Sequence, residues 1–122
     1  MSTISPRAVP RVLSIAGTDP TGGAGVHADL KTISVLGGYG MGAITAVVSQ
    51  NTCGVRSIHT PPPEVLRDQL LAVSDDVVVD AVKIGMLGSA GAVEVVGQWL
   101  QEQKPPLCVI DPVMVATAAV SY

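Results

Sequence analysis

Val12-Leu-Ser-Ile-Ala-Gly-Thr-Asp-Pro-Thr-Gly-Gly-Ala-Gly25 opens as an apolar run, breaks into a glycine-dense turn, and leads into a helix-like segment starting at Val26. Four of the nine residues from Gly17 to Gly25 are glycine: Gly17, Gly22, Gly23 and Gly25. Such a turn lets backbone approach backbone closely, and amides with no Cβ in the way can surround a small polar ligand. A turn that follows a strand and feeds a helix is where parallel α/β sheets bind ligands. The reading of the fold starts there.

Outward from this turn, β-rich runs alternate with helical patterns. The strand candidates are Val12–Ala16, Gly42–Ser49, Ala81–Gly85 and Leu107–Asp111. None is long or strictly alternating, as expected of parallel strands covered on both faces, and Ile44, Val47 and Val48 suit such a strand. The first helix places Val26, Leu30, Ile33 and Gly37 one turn apart, with Gly37-Gly38 as its stop. The second begins at Pro62-Pro63-Glu64 and turns Leu66, Leu70 and Val73 to one side. The third has Ser89 as N-cap, a stripe of Ala92, Val96, Trp99 and Leu100, and Pro105-Pro106 as terminator. This alternation predicts βαβ units and a parallel sheet with helices on its faces. The C-terminal strand ends then share one rim: Gly17 onward, Gln50-Asn51, Gly85-Met86 and Asp111-Pro112-Val113.

Composition narrows the function classes. The chain has 122 residues, 48% of them hydrophobic and 14% charged, which suits one modest folded domain and excludes general disorder. Net charge is −3, no Lys/Arg cluster occurs, and aromatic residues are 2%. Nucleic-acid binding needs phosphate-neutralising cations and, for single strands, stacking rings, so nucleic acid is set aside as a partner. No apolar run approaches the roughly 18 residues of a membrane span, and Met1 to Pro10 lacks the apolar core of a secretory signal. Cys53 falls in the turn predicted over Asn51-Thr52-Cys53-Gly54, and Cys108 reads as a packed small hydrophobe. Without CxxC or nearby His spacing they suggest neither zinc nor a disulfide framework, and a reducing cytoplasm fits best.

Two phosphate-loop readings fail on their own terms. Gly17-Thr-Asp-Pro-Thr-Gly22 gives the first half of a P-loop, but Gly23-Ala24 stands where Lys-Ser/Thr is required. Gly23, Gly25 and Ala28 satisfy GxGxxA, yet Val47-Val-Ser-Gln-Asn51 brings no acid to the second strand end to hold a ribose. What remains is a glycine turn with one acid, Asp19, and an amide side chain, Gln50, at the next strand end. Gln50 can donate and accept, which suits the edge of a neutral heteroaromatic ring; it could equally cap a neighbouring loop.

Gly17-Thr-Asp-Pro-Thr-Gly-Gly-Ala-Gly25, Ala28-Asp-Leu-Lys31, Gln50-Asn-Thr-Cys-Gly-Val55, Lys83-Ile-Gly-Met-Leu87 and Asp111-Pro-Val-Met114 occur in order. In these motifs the chain resembles the hydroxymethylpyrimidine/phosphomethylpyrimidine kinases, the thiamine-pathway branch of the ribokinase-like superfamily. The resemblance runs from Val12 to Val115. It implies a three-layer α/β/α sandwich around a mostly parallel sheet, and ATP-dependent phosphorylation of 4-amino-5-hydroxymethyl-2-methylpyrimidine and then of its monophosphate. It also implies ATP and Mg²⁺ as cofactors, a small-molecule pyrimidine partner, and a homo-oligomer in the full-length family member. Related kinases act on pyridoxal or pyridoxine, the alternative substrate, and Gln50 and Met86 favour the aminopyrimidine; a non-catalytic truncated fragment acting as a binding module is the other alternative.

The residues to which the resemblance assigns pyrimidine contact are Gly17, Asp29, Gln50, Met86 and Val113. Gly17 would let backbone approach the ring, Met86 and Val113 would wall it, Gln50 would pair with its edge, and Asp29 would accept a hydrogen bond. The plainer readings are core packing for Met86 and Val113, and a first-turn carboxylate facing the helix dipole for Asp29. Asp19 reads as a turn former, His27 and His59 as surface residues. Lys83 could neutralise a carboxylate or phosphate, or be a strand-edge lysine with a solvated head. Asp111 could hold Mg²⁺ through water.

The chain departs from that family in two places. No Gly-Thr-Gly-Cys segment, which carries the family's catalytic cysteine at a helix N-terminus, occurs in these 122 residues, so no catalytic residue is assigned. After Met114 the chain reads Val115-Ala-Thr-Ala-Ala-Val-Ser-Tyr122 in place of the family's Ser-Gly/Asp stretch. The expectation is a flexible lead-in over 1–11 and, over 12–122, the N-terminal part of a kinase domain without its nucleotide-binding half. On its own it is expected to show no kinase turnover, and as a half sheet to carry an open edge strand that favours association.

Overall fold

In the computed structural model, residues 9–111 are described. Its first strand, β1 (Arg11–Ala16), passes through the glycine turn into α1 (Gly25–Val35), which returns to β2 (Tyr39–Ile44). An antiparallel hairpin follows, β3 (Val47–Asn51) and β4 (Gly54–His59). Then come α2 (Pro63–Ser74), β5 (Ala81–Ile84), α3 (Ala90–Gln103) and β6 (Leu107–Ile110). β1 starts at Arg11, the last residue assigned above to the lead-in. Residues 112–122, including Val113, lie outside the described part.

Four strands form one parallel sheet in the order β2-β1-β5-β6. Ser14 pairs in register with Gly42 on one side and Lys83 on the other, so these three share the face that α1 covers. The opposite face carries Leu13, Ile15, Ala43, Val82 and Ile84, which pack with Leu66 and Leu70 of α2 and Ala92, Val96 and Trp99 of α3. Helices on both faces of a parallel sheet make the α/β/α layering expected from the alternation of elements.

Local chemistry explains where the elements stop. Ser89 caps α3, its Oγ accepting from the Ala92 amide at 3.1 Å, and Lys104 in the left-handed conformation (φ 49°) ends the helix just before Pro105-Pro106. Pro63 opens α2 with Glu64 in its first turn. Gly37 (φ 89°) follows α1 as foreseen, although only Val26 of that helix is fully buried.

The second strand candidate needs correction. Gly42–Ser49 is not one buried strand: it is the end of β2, a break at Thr45-Ala46, and the start of the hairpin, with Val47 about half exposed. β4 was missed altogether. The front half of β2 was missed because Gly38, Gly40 and Gly42 lower strand propensity. Those glycines serve packing: a Cβ on each would come within 3 Å of Ile33, Leu30 or Val26 of α1. Cys108 is also corrected. It is exposed on β6, which no helix among the described residues covers; Cys53 is exposed in the hairpin turn where it was expected.

Candidate functional site

The crossovers that flank β1 lead to opposite sides of it. α1 carries the chain to β2 on one side, whereas β5 and β6 lie on the other. A parallel sheet splits open at the C-terminal end of the strand where this reversal occurs, and ligands bind there. β1 ends at Ala16, so the glycine turn sits at that opening.

The turn holds its shape from within. Gly25 has φ 59°, and a Cβ there would collide with the Gly17 carbonyl oxygen. That same oxygen accepts from the Val26 amide at 2.9 Å, tying the helix start to the strand end. Asp19 is buried and acts as the turn former expected of it. Its Oδ1 accepts from the Thr21 amide (3.0 Å) and hydroxyl (2.9 Å), and its Oδ2 accepts from the Gly23 amide (2.9 Å). Burial alone would raise its pKa, but these hydrogen bonds outweigh burial and hold the carboxyl below its ordinary value. His27 is exposed as foreseen, yet its Nδ1 accepts from the Asp19 amide at 3.1 Å.

The β3–β4 hairpin projects over this turn. Thr18 fastens the two: its hydroxyl accepts from the Val48 amide at 2.8 Å, and its own amide donates to Ala46 O at 3.0 Å. The hairpin register slips by one residue between Ser49 and Gln50, a bulge of the kind that re-aims a side chain beside a site. Gln50 then lines the cavity, with Nε2 3.5 Å from Thr18 O. The loop-capping alternative accounts at most for this one long contact and leaves the amide oxygen unused by the turn.

A cavity of about 370 Å³ lies at this junction, in the range of small-molecule sites. Gly17, Asp29, Gln50, Lys83, Met86 and Asp111 are among its lining residues. Four of the five residues singled out for pyrimidine contact thus converge on one cavity; the fifth, Val113, is outside the described residues. The Met86 side chain lies over Gly17, so close that a Cβ on Gly17 would sit 2.6 Å from Met86 Cε. Met86 therefore faces the cavity, and Thr45 Oγ donates to the Met86 carbonyl at 2.6 Å to fix its backbone.

Asp29 is not a first-turn carboxylate: α1 has no acid in its first turn. Nor is Lys83 a solvated strand-edge cation. Its Nζ donates to Asp29 Oδ2 at 2.9 Å, and Ser14 Oγ donates to the same oxygen at 2.7 Å. Ser14 is the site residue that sequence reading passed over, since it sits inside an apolar run. Its period-2 placement between Val12 and Ala16, facing α1, was the available signal. Among the described residues no group of three or more His, Cys, Asp or Glu could hold a metal.

The phosphomethylpyrimidine kinase family matches residues 19–121. The chain belongs to that family. It is 61% identical over 109 residues to the thiamine biosynthesis multifunctional protein ThiED of Corynebacterium glutamicum, covering 89% of this chain and 14% of that protein. It is 52% identical over 104 residues to the hydroxymethylpyrimidine/phosphomethylpyrimidine kinase of Salmonella typhimurium, covering 85% and 39%. Among solved structures, the phosphomethylpyrimidine kinase of Clostridium difficile superposes with a TM-score of 0.86 at 40% identity, over 92% of this chain and 48% of that one. The pyridoxal kinase of Staphylococcus aureus in complex with AMP-PCP and pyridoxal superposes with a TM-score of 0.77 at 38% identity, over 88% and 40%. The chain spans less than half the length of each of these relatives. The α/β reading of the fold and the family resemblance both stand. Among the described residues no helix is long and apolar enough to cross a membrane.

Proposed function

We propose that this chain forms the ring-binding wall of a kinase that phosphorylates 4-amino-5-hydroxymethyl-2-methylpyrimidine and its monophosphate in thiamine biosynthesis. The observation that carries the reading is the convergence of Gly17, Asp29, Gln50 and Met86 on one cavity, in a chain of the phosphomethylpyrimidine kinase family.

Each residue has a distinct task. The thioether of Met86 and the bare backbone of Gly17 form an apolar slot for a flat ring, and the family resemblance assigns Val113 as a further apolar contact. The Gln50 amide nitrogen donates to a ring nitrogen and its oxygen accepts from the exocyclic amine, a pairing that a hydrophobic wall alone would not select. Asp29 accepts from the hydroxymethyl group. Removing one such pairing group leaves its partner unsatisfied, a loss of roughly tenfold or more in affinity.

ATP is the phosphoryl donor in this reading, and Asp111, exposed at the cavity, is the carboxylate suited to Mg²⁺. Mg²⁺ commonly takes one or two carboxylates and completes its shell with water and nucleotide phosphates, so a lone acid fits that mode. Homo-oligomerisation and a cytoplasmic location belong to the same reading.

A second reading, a pyridoxal ring in this cavity, is favoured by the likeness to pyridoxal kinases. Calorimetric titration of the chain with hydroxymethylpyrimidine and with pyridoxal separates the two. Tighter binding of the aminopyrimidine, weakened about tenfold by Gln50→Ala, is expected. Tighter binding of pyridoxal, or no binding of either, overturns the reading. With ATP and Mg²⁺ added, the 122 residues are expected to bind without turnover, because they lack the Gly-Thr-Gly-Cys segment.

A further inference from the structure

Lys83, at the cavity wall, and Ser14, behind it, both donate to one oxygen of Asp29. Ser14 is fully buried on β1, Lys83 stands beside it in register on β5, and Asp29 reaches down from α1 to meet them. Both donors take Asp29 Oδ2, at 2.7 and 2.9 Å. Oδ1 has no protein donor among the described residues, and Asp29 lines the cavity. A carboxylate held by two donors on one oxygen cannot rotate without breaking both bonds, and the second oxygen keeps a fixed direction.

The setting explains why a lysine is needed. Asp29 and Asp111 both line the cavity, and Lys83 is the cation among its lining residues. The Lys83 ammonium is itself confined: a Cβ on Gly85 would lie 3.2 Å from Nζ. It therefore serves as a fixed charge, and its bond to Asp29 is only partly open to solvent (side-chain exposures 27% and 20%). Charge-assisted bonds of this kind are stronger and more directional than neutral ones.

We propose that Lys83 and Ser14 are positioning residues that clamp Asp29 Oδ2 and so aim Oδ1 at the hydroxymethyl O–H of the pyrimidine, making the pair a specificity device for the hydroxyl. This rests on the pyrimidine reading above. It differs from a merely structural ion pair in one respect: loss of the clamp should matter only for a ligand that carries the hydroxyl.

The test is calorimetric titration of the full chain with hydroxymethylpyrimidine and with its analogue 4-amino-2,5-dimethylpyrimidine, which lacks only that oxygen. Asp29→Asn, Lys83→Met and Ser14→Ala are compared with the unaltered chain, each checked for folding by circular dichroism. The expected result is that Lys83→Met weakens the hydroxymethyl ligand about tenfold, the loss of one charge-assisted bond, and leaves the dimethyl analogue within about twofold. Ser14→Ala follows the same pattern at smaller size, and carries the comparison alone if Lys83→Met does not fold. Equal weakening of both ligands, or of neither, by both variants overturns the clamp while leaving the ring-binding reading intact. Failure of the unaltered chain to bind either ligand overturns both.

Discussion

The two edges of the sheet are built differently. At the β2 edge, α1 packs onto bare glycine backbone, and Gln69 of α2 serves as a substitute strand partner: it accepts from the Ile44 amide at 2.8 Å and donates to the Ile44 carbonyl at 3.0 Å. At the β6 edge, Leu107, Val109 and Ile110 are each more than half exposed, and Cys108 is exposed between them. By register, Leu107 and Val109 share the α1 face while Cys108 and Ile110 share the other, so β6 is apolar toward both layers and, among the described residues, covered by neither. An apolar strand of that kind is built for a sheet interior. The contrast teaches that, among the described residues, the β2 edge is packed closed, whereas β6, which leads into the cavity residue Asp111, has the surface of an internal strand.

If the covered side carries the stability, truncating it should be the most damaging change. Trp99→Ala removes a fully buried ring whose Nε1 donates to Ser74 Oγ at 3.2 Å, and should cost about 3–5 kcal/mol in urea unfolding. A loss below about 1 kcal/mol would break the comparison. Next in size, Gly42→Val presses a side chain into Val26, whose Cγ2 already lies 2.6 Å from the Cβ position, for about 1–3 kcal/mol.

Acid sharpens the contrast further, because the charges that respond lie on the covered side. Arg11 holds Asp80 below the ordinary carboxylate value of 3.8, through side-chain and backbone hydrogen bonds that outweigh burial. A carboxyl whose folded pKa is depressed contributes fully above its unfolded value and loses that contribution as pH falls through the folded one. Asp19 acts in the same direction. Unfolding midpoints measured down from neutrality should therefore decline below about pH 4, and Asp80→Asn should flatten part of that decline. The smallest effect belongs to β6: Val109→Thr, on an open face, should change stability by no more than about 0.5 kcal/mol while reducing self-association in light scattering.

Much of this is legible in the sequence. The periodicity of Leu66, Leu70 and Val73 and of Ala92, Val96 and Trp99 marked two helices, and Ser89 marked where one begins, because capping and amphipathic spacing are local rules. The glycine turn announced the site for the same reason. Less legible were elements whose purpose lies across the sheet. Gly38, Gly40 and Gly42 look like loop residues unless α1 is known to lie on them, and β4, with His59 and Arg56 exposed, pairs among the described residues only with β3.

The amino-acid order by itself determined the α/β class, the turn that opens the site and the family, since these follow from short-range spacing and from motifs. Only the folded chain decided that Asp29 meets Lys83 and Ser14, that Cys108 is bare, and that a register slip carries Gln50 to the cavity. Those outcomes depend on which strands become neighbours and which faces a helix covers. Long-range pairing of that kind is settled by burial across the whole sheet, and a short window of residues carries only fragments of it, such as the period-2 placement of Ser14.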